Sequence, residues 1–318
     1  MPALTCSAPG KLILCGEHAV VYSQPAIAMP VMQLTTTTKI FAHPTAPQGE
    51  IFVRAEATQT AAKLDSLPAE NPIRKTVELV KGYFGLDHFP ACEIHISSTL
   101  PIASGLGSSA SLSVSIICAL TQFIGHPLAL EQINQLAYEA EKFHHGNPSG
   151  VDNTVITYQR PVYFQRGSAP VFIKVAVPFY FVIASTGISA STSQAVAGVH
   201  ERWQQNQPQY NALFNQIGDL TRQVRRYLAS GDAALVGTHL SQDHALLTEM
   251  GVSCPALDRL VTAAQQAGAL GAKLSGGGQG GYMLALVTPE TSARVAAALR
   301  QNGAVTTLPI SLPASQGG

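Results

Sequence analysis

Short apolar runs separated by turn residues fill the first third of the chain, the pattern of strands. Leu12 to Cys15 is one run, and Val31 to Phe41 is another, in which Thr35-Thr36-Thr37-Thr38 supplies β-branched side chains suited to a pleated surface. Ile51 to Arg54 is a third. Pro44 to Gly49 forms a turn between these runs and predicts that two of them pair as a hairpin. Asn71-Pro72 reads as a helix start, and Lys75 to Phe84 has helical spacing. Glu93 to Ser97 alternates as a strand. An apolar helix is predicted at Ala110 to Ile124. A second helix, Leu130 to Phe143, is amphipathic by its stripe of Ile133, Leu136, Ala137 and Ala140.

His145 to Asn153 is rich in Gly, Pro, Asn and Ser and reads as a turn. Val155, Tyr158, Val162 and Phe164, then Val171 to Val175, suggest further strands. Pro178 to Ser185 is an apolar strand that opens a second lobe. Ser191 to Ala267 is mostly helical, with breaks near Gln207-Pro208, Gly231 and Cys254-Pro255. Lys273 to Val287 reads strand, glycine turn, strand. Arg294 to Gln301 is a helix, Val305 to Ile310 a final strand, and Pro313 to Gly318 a tail without structure. A length of 318 residues exceeds one ordinary core. Two domains are therefore expected, over residues 1–177 and 178–318.

Composition narrows the picture. Only 12% of residues are charged, against ~25% in ordinary soluble proteins. Nineteen basic residues balance nineteen acidic ones, so no electrostatic footprint for nucleic acid or an anionic membrane is expected. Cys6, Cys15, Cys92, Cys118 and Cys254 are odd in number, scattered, and without a C-x-x-C pair. Free thiols in a reducing cytosol are the expectation. The first residues lack a basic segment followed by a long apolar one. Leu112 to Ile124, the longest apolar stretch, is too short for a membrane span. A cytoplasmic protein is expected.

Gly105-Leu106-Gly107-Ser108-Ser109 stands at the start of the apolar helix. Free N–H groups and the macrodipole make such a helix end attractive to anions. Glycines let the backbone close around a phosphate, and serine hydroxyls suit a phosphate oxygen or Mg²⁺. A dinucleotide fingerprint is disfavoured, because Pro101 interrupts the strand and the next acidic residue is Glu131. No Walker A sequence is present. A serine-capped glycine turn without a ligand has the same composition, so the loop alone leaves both readings open.

Glu141 ends the second helix, and Asp152 follows the His145 to Gly150 turn. Phosphoryl transfer needs a metal ligand and a group that orients or deprotonates the acceptor hydroxyl. Two acids held apart by a turn suit those tasks, although a turn Asp and a solvated helix Glu are common on their own account. Lys11 begins an apolar strand after Pro9-Gly10 and suits a transferring phosphate; a strand-edge lysine facing water is its ordinary alternative. Gly276-Gly277-Gly278-Gln279-Gly280-Gly281 carries five glycines in six residues, an entropic cost that calls for close backbone approach. Its apolar flanks argue for a buried position.

Together these segments resemble the GHMP kinases. Three motifs occur in the family's order: Pro9 to Tyr22, Pro101 to Ala110, and Lys273 to Gly281. Gly16-Glu17-His18-Ala19-Val20-Val21-Tyr22, His145 to Asn153, and Gly251-Val252-Ser253 through Lys273 resemble the branch that phosphorylates mevalonate. The galactose branch carries an Asp soon after the Glu-His pair; Ala19-Val20-Val21 stands there instead. The third motif departs from the pattern, with Gly277 in place of Ala and Gln279 inside the glycine run.

The resemblance implies an α+β, two-lobed fold: an N-terminal lobe like ribosomal protein S5 domain 2 and a C-terminal ferredoxin-like lobe, meeting at a cleft. It implies transfer of the ATP γ-phosphoryl group to the C5 hydroxyl of (R)-mevalonate. Ser109 and Glu141 would hold Mg²⁺. Asp152 would accept or orient the hydroxyl proton, with Lys11 beside it. Pro101, Ser104, Gly105, Leu106, Gly107, Ser108, Ser109 and Ala110 would hold the ATP phosphates. Glu17, His18, Ser149 and Asp152 would contact the substrate. A homodimer fits the family. A kinase of the same pathway acting on phosphomevalonate or on the 3-hydroxyl of mevalonate is the nearest rival. The scarcity of cations near His18 and His145, where Lys142 accompanies Lys11, favours an unphosphorylated acceptor. A catalytically inactive ligand sensor is the rival from another class.

Overall fold

The computed structural model describes residues 4–101, 105–145 and 148–315, without the side chains of residues 144 and 145. The chain forms two compact units, and neither is one continuous segment. The first comprises Met1–Lys11, Pro30–Ile102 and Leu106–Gln159; the second comprises Leu12–Met29, Ala103–Gly105 and Arg160–Gly318.

The first unit contains the start of β1 (Leu4–Cys15), most of β2 (Ala26–Ala42), β3 (Ile51–Ala55), β4 (Thr60–Lys63), α1 (Pro72–Tyr83), β5 (Cys92–Ser98), α2 (Ser108–Phe123), α3 (Leu130–His145) and α4 (Val151–Tyr158). Its strands run in the order β4-β3-β5-β2. Strand β5 is parallel to β3 and antiparallel to β2, so it lies between the two runs expected to pair as a hairpin. A pairing across the Pro44 to Gly49 turn is therefore corrected, since the parallel β3–β5 pair needs a crossover and α1 provides it, whereas β1 and β2, which carry two of the same runs, do pair. Asn71 caps α1 by accepting from the Ile73 N–H at 2.9 Å, with Pro72 at the first helical position. Ile40, Val53, Ile94, Val77, Ile117 and Leu120 build the core beneath α1 and α2.

Helix α2 is buried around most of its circumference, and its sequence is accordingly made of apolar residues interleaved with small serines. Its buried serines are satisfied: Ser111 donates to the Ala8 carbonyl at 2.8 Å, and Ser115 to the Leu112 carbonyl at 2.9 Å. Two expectations change here. Val155 and Tyr158 lie on helix α4, not on a strand. Cys6 of β1 and Cys118 of α2 form a disulfide with Cα atoms 6.0 Å apart, so these two thiols are not free. The strand and helix that carry them are neighbours, already tied by the bond from Ser111 to Ala8.

In the second unit, the Ala26–Ala28 end of β2 pairs with β6 (Val162–Phe164), which pairs with β7 (Val171–Phe172). There follow β8 (Phe179–Ser185), α5 (Thr192–Gln205), α6 (Gln207–Ser230), α7 (Ala233–Glu249), α8 (Pro255–Gln266), β9 (Gly271–Ser275), β10 (Tyr282–Val287), α9 (Pro289–Gln301) and β11 (Thr306–Leu312). The antiparallel sheet runs β11-β8-β10-β9. This is a β-α-β-β-α-β succession of ferredoxin-like type, with four helices in its first crossover. Val182, Phe214, Ile217, Leu260, Leu274 and Met283 fill its core. Part of the tail is also ordered: the Ser315 N–H donates to the Val175 carbonyl at 2.9 Å, and the rest lies outside the described residues.

Candidate active site

In the first unit, Lys11 and Asp152 meet. Lys11 Nζ lies 3.1 Å from Asp152 Oδ1. Lys11 is buried although charged, and Asp152 is partly exposed in the first turn of α4. The Lys11 N–H donates to the Leu106 carbonyl at 2.8 Å, which fixes the lysine beside the glycine loop. Gly107 caps α2 with φ +76°. A Cβ there would lie 2.8 Å from Lys11 Cγ, so the lysine stem occupies the space a side chain would need.

Glu141, near the end of α3, is buried and hydrogen-bonded to Ser109. Burial, then the Asp152 charge, pushes its carboxyl up to about 7; the Ser109 bond and Lys11 pull the other way. A hydroxyl and a carboxylate at the start of α2 form an all-oxygen pair that suits a hard dication. Among the described residues no cluster of three or more His, Cys, Asp or Glu side chains forms a metal cage. Mg²⁺ needs none, because phosphate oxygens and water complete its shell.

The remaining loop residues are placed as follows. Pro101 and Gly105 are exposed, Leu106 and Ala110 are buried, and Ser108 and Ser109 are half-buried in the first turn of α2. Ser104 lies outside the described residues, as do Gly146 and Asn147 of the later turn. Ser149 accepts from the Val151 N–H at 3.4 Å, at the start of α4.

Glu17 and His18 belong to the second unit, and both are buried. The Glu17 carboxylate accepts from the ammonium of Lys273, which also lies 3.2 Å from Asp243 Oδ2. Burial pushes Glu17 up to about 7, against the pull of Lys273. Burial opposes the charge on Lys273 too, but Glu17 and Asp243 outweigh it and its net displacement is upward. His18 Nε2 donates to the Gly277 carbonyl at 3.0 Å, while Nδ1 has no hydrogen-bond partner among the described residues. Burial lowers His18 to about 4, so the ring is neutral. Asp243 was not singled out from sequence, and Lys273 only as the start of a motif. The signal was present: Asp243 falls in the buried stripe Val236, Leu240, Asp243, Leu247 of α7.

The glycine run after β9 is held against its surroundings. A Cβ on Gly278 would lie 2.0 Å from the Val252 carbonyl oxygen. Gln279 adopts φ +60° and donates to the Gly251 carbonyl at 2.8 Å, so the residue that departs from the glycine pattern takes the left-handed backbone itself. Beside it is a pocket of about 480 Å³, lined in part by Ser189, Ser191, Gln194, Arg202 and Gln279.

A glycine loop at a helix start, a lysine–aspartate pair and a hydroxyl–carboxylate pair together suit a phosphotransferase. Residues 71–160 match the GHMP kinases N terminal domain, and residues 224–305 match the GHMP kinases C terminal region. The chain belongs to the GHMP kinase family. Within it, the chain is 33% identical over 315 residues to the mevalonate kinase of Thermococcus sibiricus, covering 93% of this chain and 92% of that one. It is 31% identical over 317 residues to the mevalonate kinase of Pyrococcus horikoshii, covering 94% and 92%. The L. major mevalonate kinase crystallised with R-mevalonate has a similar structure, with a TM-score of 0.84, 29% identity, and coverage of 100% of this chain and 97% of that one.

Proposed function

We propose that this chain is a mevalonate kinase, transferring the γ-phosphoryl group of ATP to the C5 hydroxyl of (R)-mevalonate to give 5-phosphomevalonate and ADP. The observation that carries the reading is the Lys11–Asp152 pair at 3.1 Å, together with Glu141 of α3 hydrogen-bonded to Ser109 at the start of α2. Asp152 accepts, or orients, the proton of the acceptor hydroxyl. Lys11 stabilises the developing negative charge on the reacting oxygens. The backbone N–H groups from Gly105 to Ser108 cradle the phosphates, and Pro101, Ser104, Ser109 and Ala110 are the further ATP-binding residues of this reading.

Ser109 and Glu141 would hold Mg²⁺, which would supply charge neutralisation on the ATP phosphates. Its binding would favour the ionised Glu141 that burial disfavours. His18 offers the unpartnered Nδ1 as a hydrogen-bond acceptor toward the substrate, and Ser149 a hydroxyl. Glu17 acts from behind His18, since its carboxylate is committed to Lys273. No helix among the described residues is long and apolar enough to cross a membrane, and a homodimer in the cytoplasm is part of this reading.

The test is ADP release with Mg-ATP against (R)-mevalonate, 5-phosphomevalonate, galactose and homoserine, with Asp152→Ala alongside. Turnover with mevalonate alone, phosphate at C5 of the product, and a dead variant are expected. Preference for another acceptor overturns the substrate assignment and leaves the family untouched. ATP binding without turnover of any acceptor overturns the kinase reading in favour of a ligand sensor.

A further inference from the structure

Three ionisable side chains are sealed inside the second unit. Glu17, Asp243 and Lys273 are each at most 1% exposed. Two carboxylates face one ammonium, so the group carries an excess negative charge unless it retains a proton. An uncompensated charge in a dry interior is strongly unfavourable, and carboxylates sharing one site tend to keep one proton between them. Glu17 Oε2 and Asp243 Oδ1 accept no hydrogen bond among the described residues, which leaves a place for that proton.

The neighbouring elements offer little to neutralise the charge. Cys15 of β1 and Thr221 of α6 bond to each other at 3.3 Å. Burial, then Asp243, raises the Cys15 thiol well above its ordinary value, so it stays neutral. His244 of α7 is turned to Asp258 of α8, with Nε2 3.3 Å from Oδ1, and burial lowers it. Arg202 of α5 donates to the Tyr210 hydroxyl at 3.1 Å, and its charge faces His18.

The same ion cluster fastens the loop that carries His18. Strand β9 and the glycine run after it grip that loop and the strand before it at successive points: Ser275 donates to the Ile13 carbonyl at 2.8 Å, Lys273 to Glu17, and His18 to the Gly277 carbonyl at 3.0 Å. His18 itself has φ 58° and ψ −48°, a backbone conformation a non-glycine residue keeps only when its surroundings impose it.

The geometry points to Lys273, with Glu17 and Asp243, as a positioning group that holds His18 in its acceptor-binding conformation while the cluster retains one proton. This rests on the reading that His18 serves acceptor binding. Loss of the proton leaves a buried charge, loosens the Glu17–His18 loop and weakens acceptor binding. The phosphoryl-transfer groups Lys11, Asp152, Ser109 and Glu141 are not part of the cluster.

The experiment is steady-state kinetics at saturating Mg-ATP from about pH 6 to about pH 9. It compares the wild type, Asp243→Asn, and the neutral triple variant Glu17→Gln/Asp243→Asn/Lys273→Met. Wild-type turnover of mevalonate checks the underlying reading separately; should another acceptor be used, the same comparison is made with that acceptor. In the wild type, KM for the acceptor should rise as pH passes through about 7 while kcat holds. In Asp243→Asn, where one carboxylate matches one ammonium, that rise should vanish. The triple variant should melt within a few degrees of the wild type and yet show KM raised about tenfold or more, with kcat little changed. A wild-type KM flat with pH, an Asp243→Asn enzyme that keeps the rise, or a folded triple variant with unchanged KM each overturns the proposal.

Discussion

The Lys11 side chain fills the space that a side chain at Gly107 would need: a Cβ there would lie 2.8 Å from Lys11 Cγ and 2.9 Å from Ile156 Cδ1. Gly107 also holds φ +76°, which a non-glycine residue adopts only under strain. Gly107→Ala should therefore displace Lys11 from Asp152. A small misplacement of a reacting group costs on the order of 10²-fold in rate, with about 1–2 kcal/mol of lost stability from the backbone alone. Measuring kcat beside the melting temperature decides the matter; a variant with full kcat would show that Lys11 need not sit where it does.

Because Lys11 and Asp152 touch, they should act as one unit. Lys11→Met and Asp152→Asn are each expected to lower kcat by about 10²–10⁴. The double variant should be little worse than the poorer single one, since each change disables the same pair. Multiplicative losses in a double-mutant cycle would mean that the two residues contribute independently.

The sequence carried the site more clearly than it carried the strand pairing. The resemblance to the GHMP kinases implied that Lys11 would lie next to Asp152, and their charged atoms are 3.1 Å apart. The breaks at Gln207-Pro208 and Cys254-Pro255 fall at the starts of α6 and α8, and Gly231 caps the end of α6, because Pro and left-handed Gly act locally. Strand pairing is not local: β5 enters between β2 and β3 from about forty residues away, with no signal in the Pro44 to Gly49 turn. Helix α4 was hidden by its β-branched Val151, Thr154, Val155, Ile156 and Thr157. A left-handed Gly150 at its start and packing on α2 and α3 override that propensity. The burial of Lys273 was invisible because its partners, Glu17 and Asp243, are remote in sequence.

The Cys6–Cys118 disulfide closes a loop with a sequence separation of 112. Thiol titration of the denatured, unreduced protein should count three reactive cysteines, Cys15, Cys92 and Cys254, and all five after reduction. Constraining an unfolded loop of that length is worth up to about 5 kcal/mol. Cys118→Ser should therefore melt lower than the oxidised wild type and match the reduced one. Five reactive thiols before reduction would show that the pair is not bonded in the protein as isolated.

His18 should make stability fall on acidification. Its ordinary value of 6.5 is lowered to about 4 by burial, with Arg202 and Lys273 adding to the effect and the Gly277 carbonyl opposing it. Below 6.5 the unfolded chain takes up a proton that the folded ring refuses, so unfolding gains free energy as pH drops. The contribution is fully present above 6.5 and is lost as pH falls through about 4. Glu17 runs the other way: its contribution is present below 4.5 and lost as pH rises through about 7. Only a difference measurement isolates the histidine. His18→Gln keeps an N–H for the Gly277 carbonyl but cannot titrate. Denaturant unfolding of both proteins from about pH 7 to about pH 4 should show the wild type losing up to about 3 kcal/mol more than the variant. Parallel stability curves would mean that the folded protein lets His18 take up a proton as readily as the unfolded chain does.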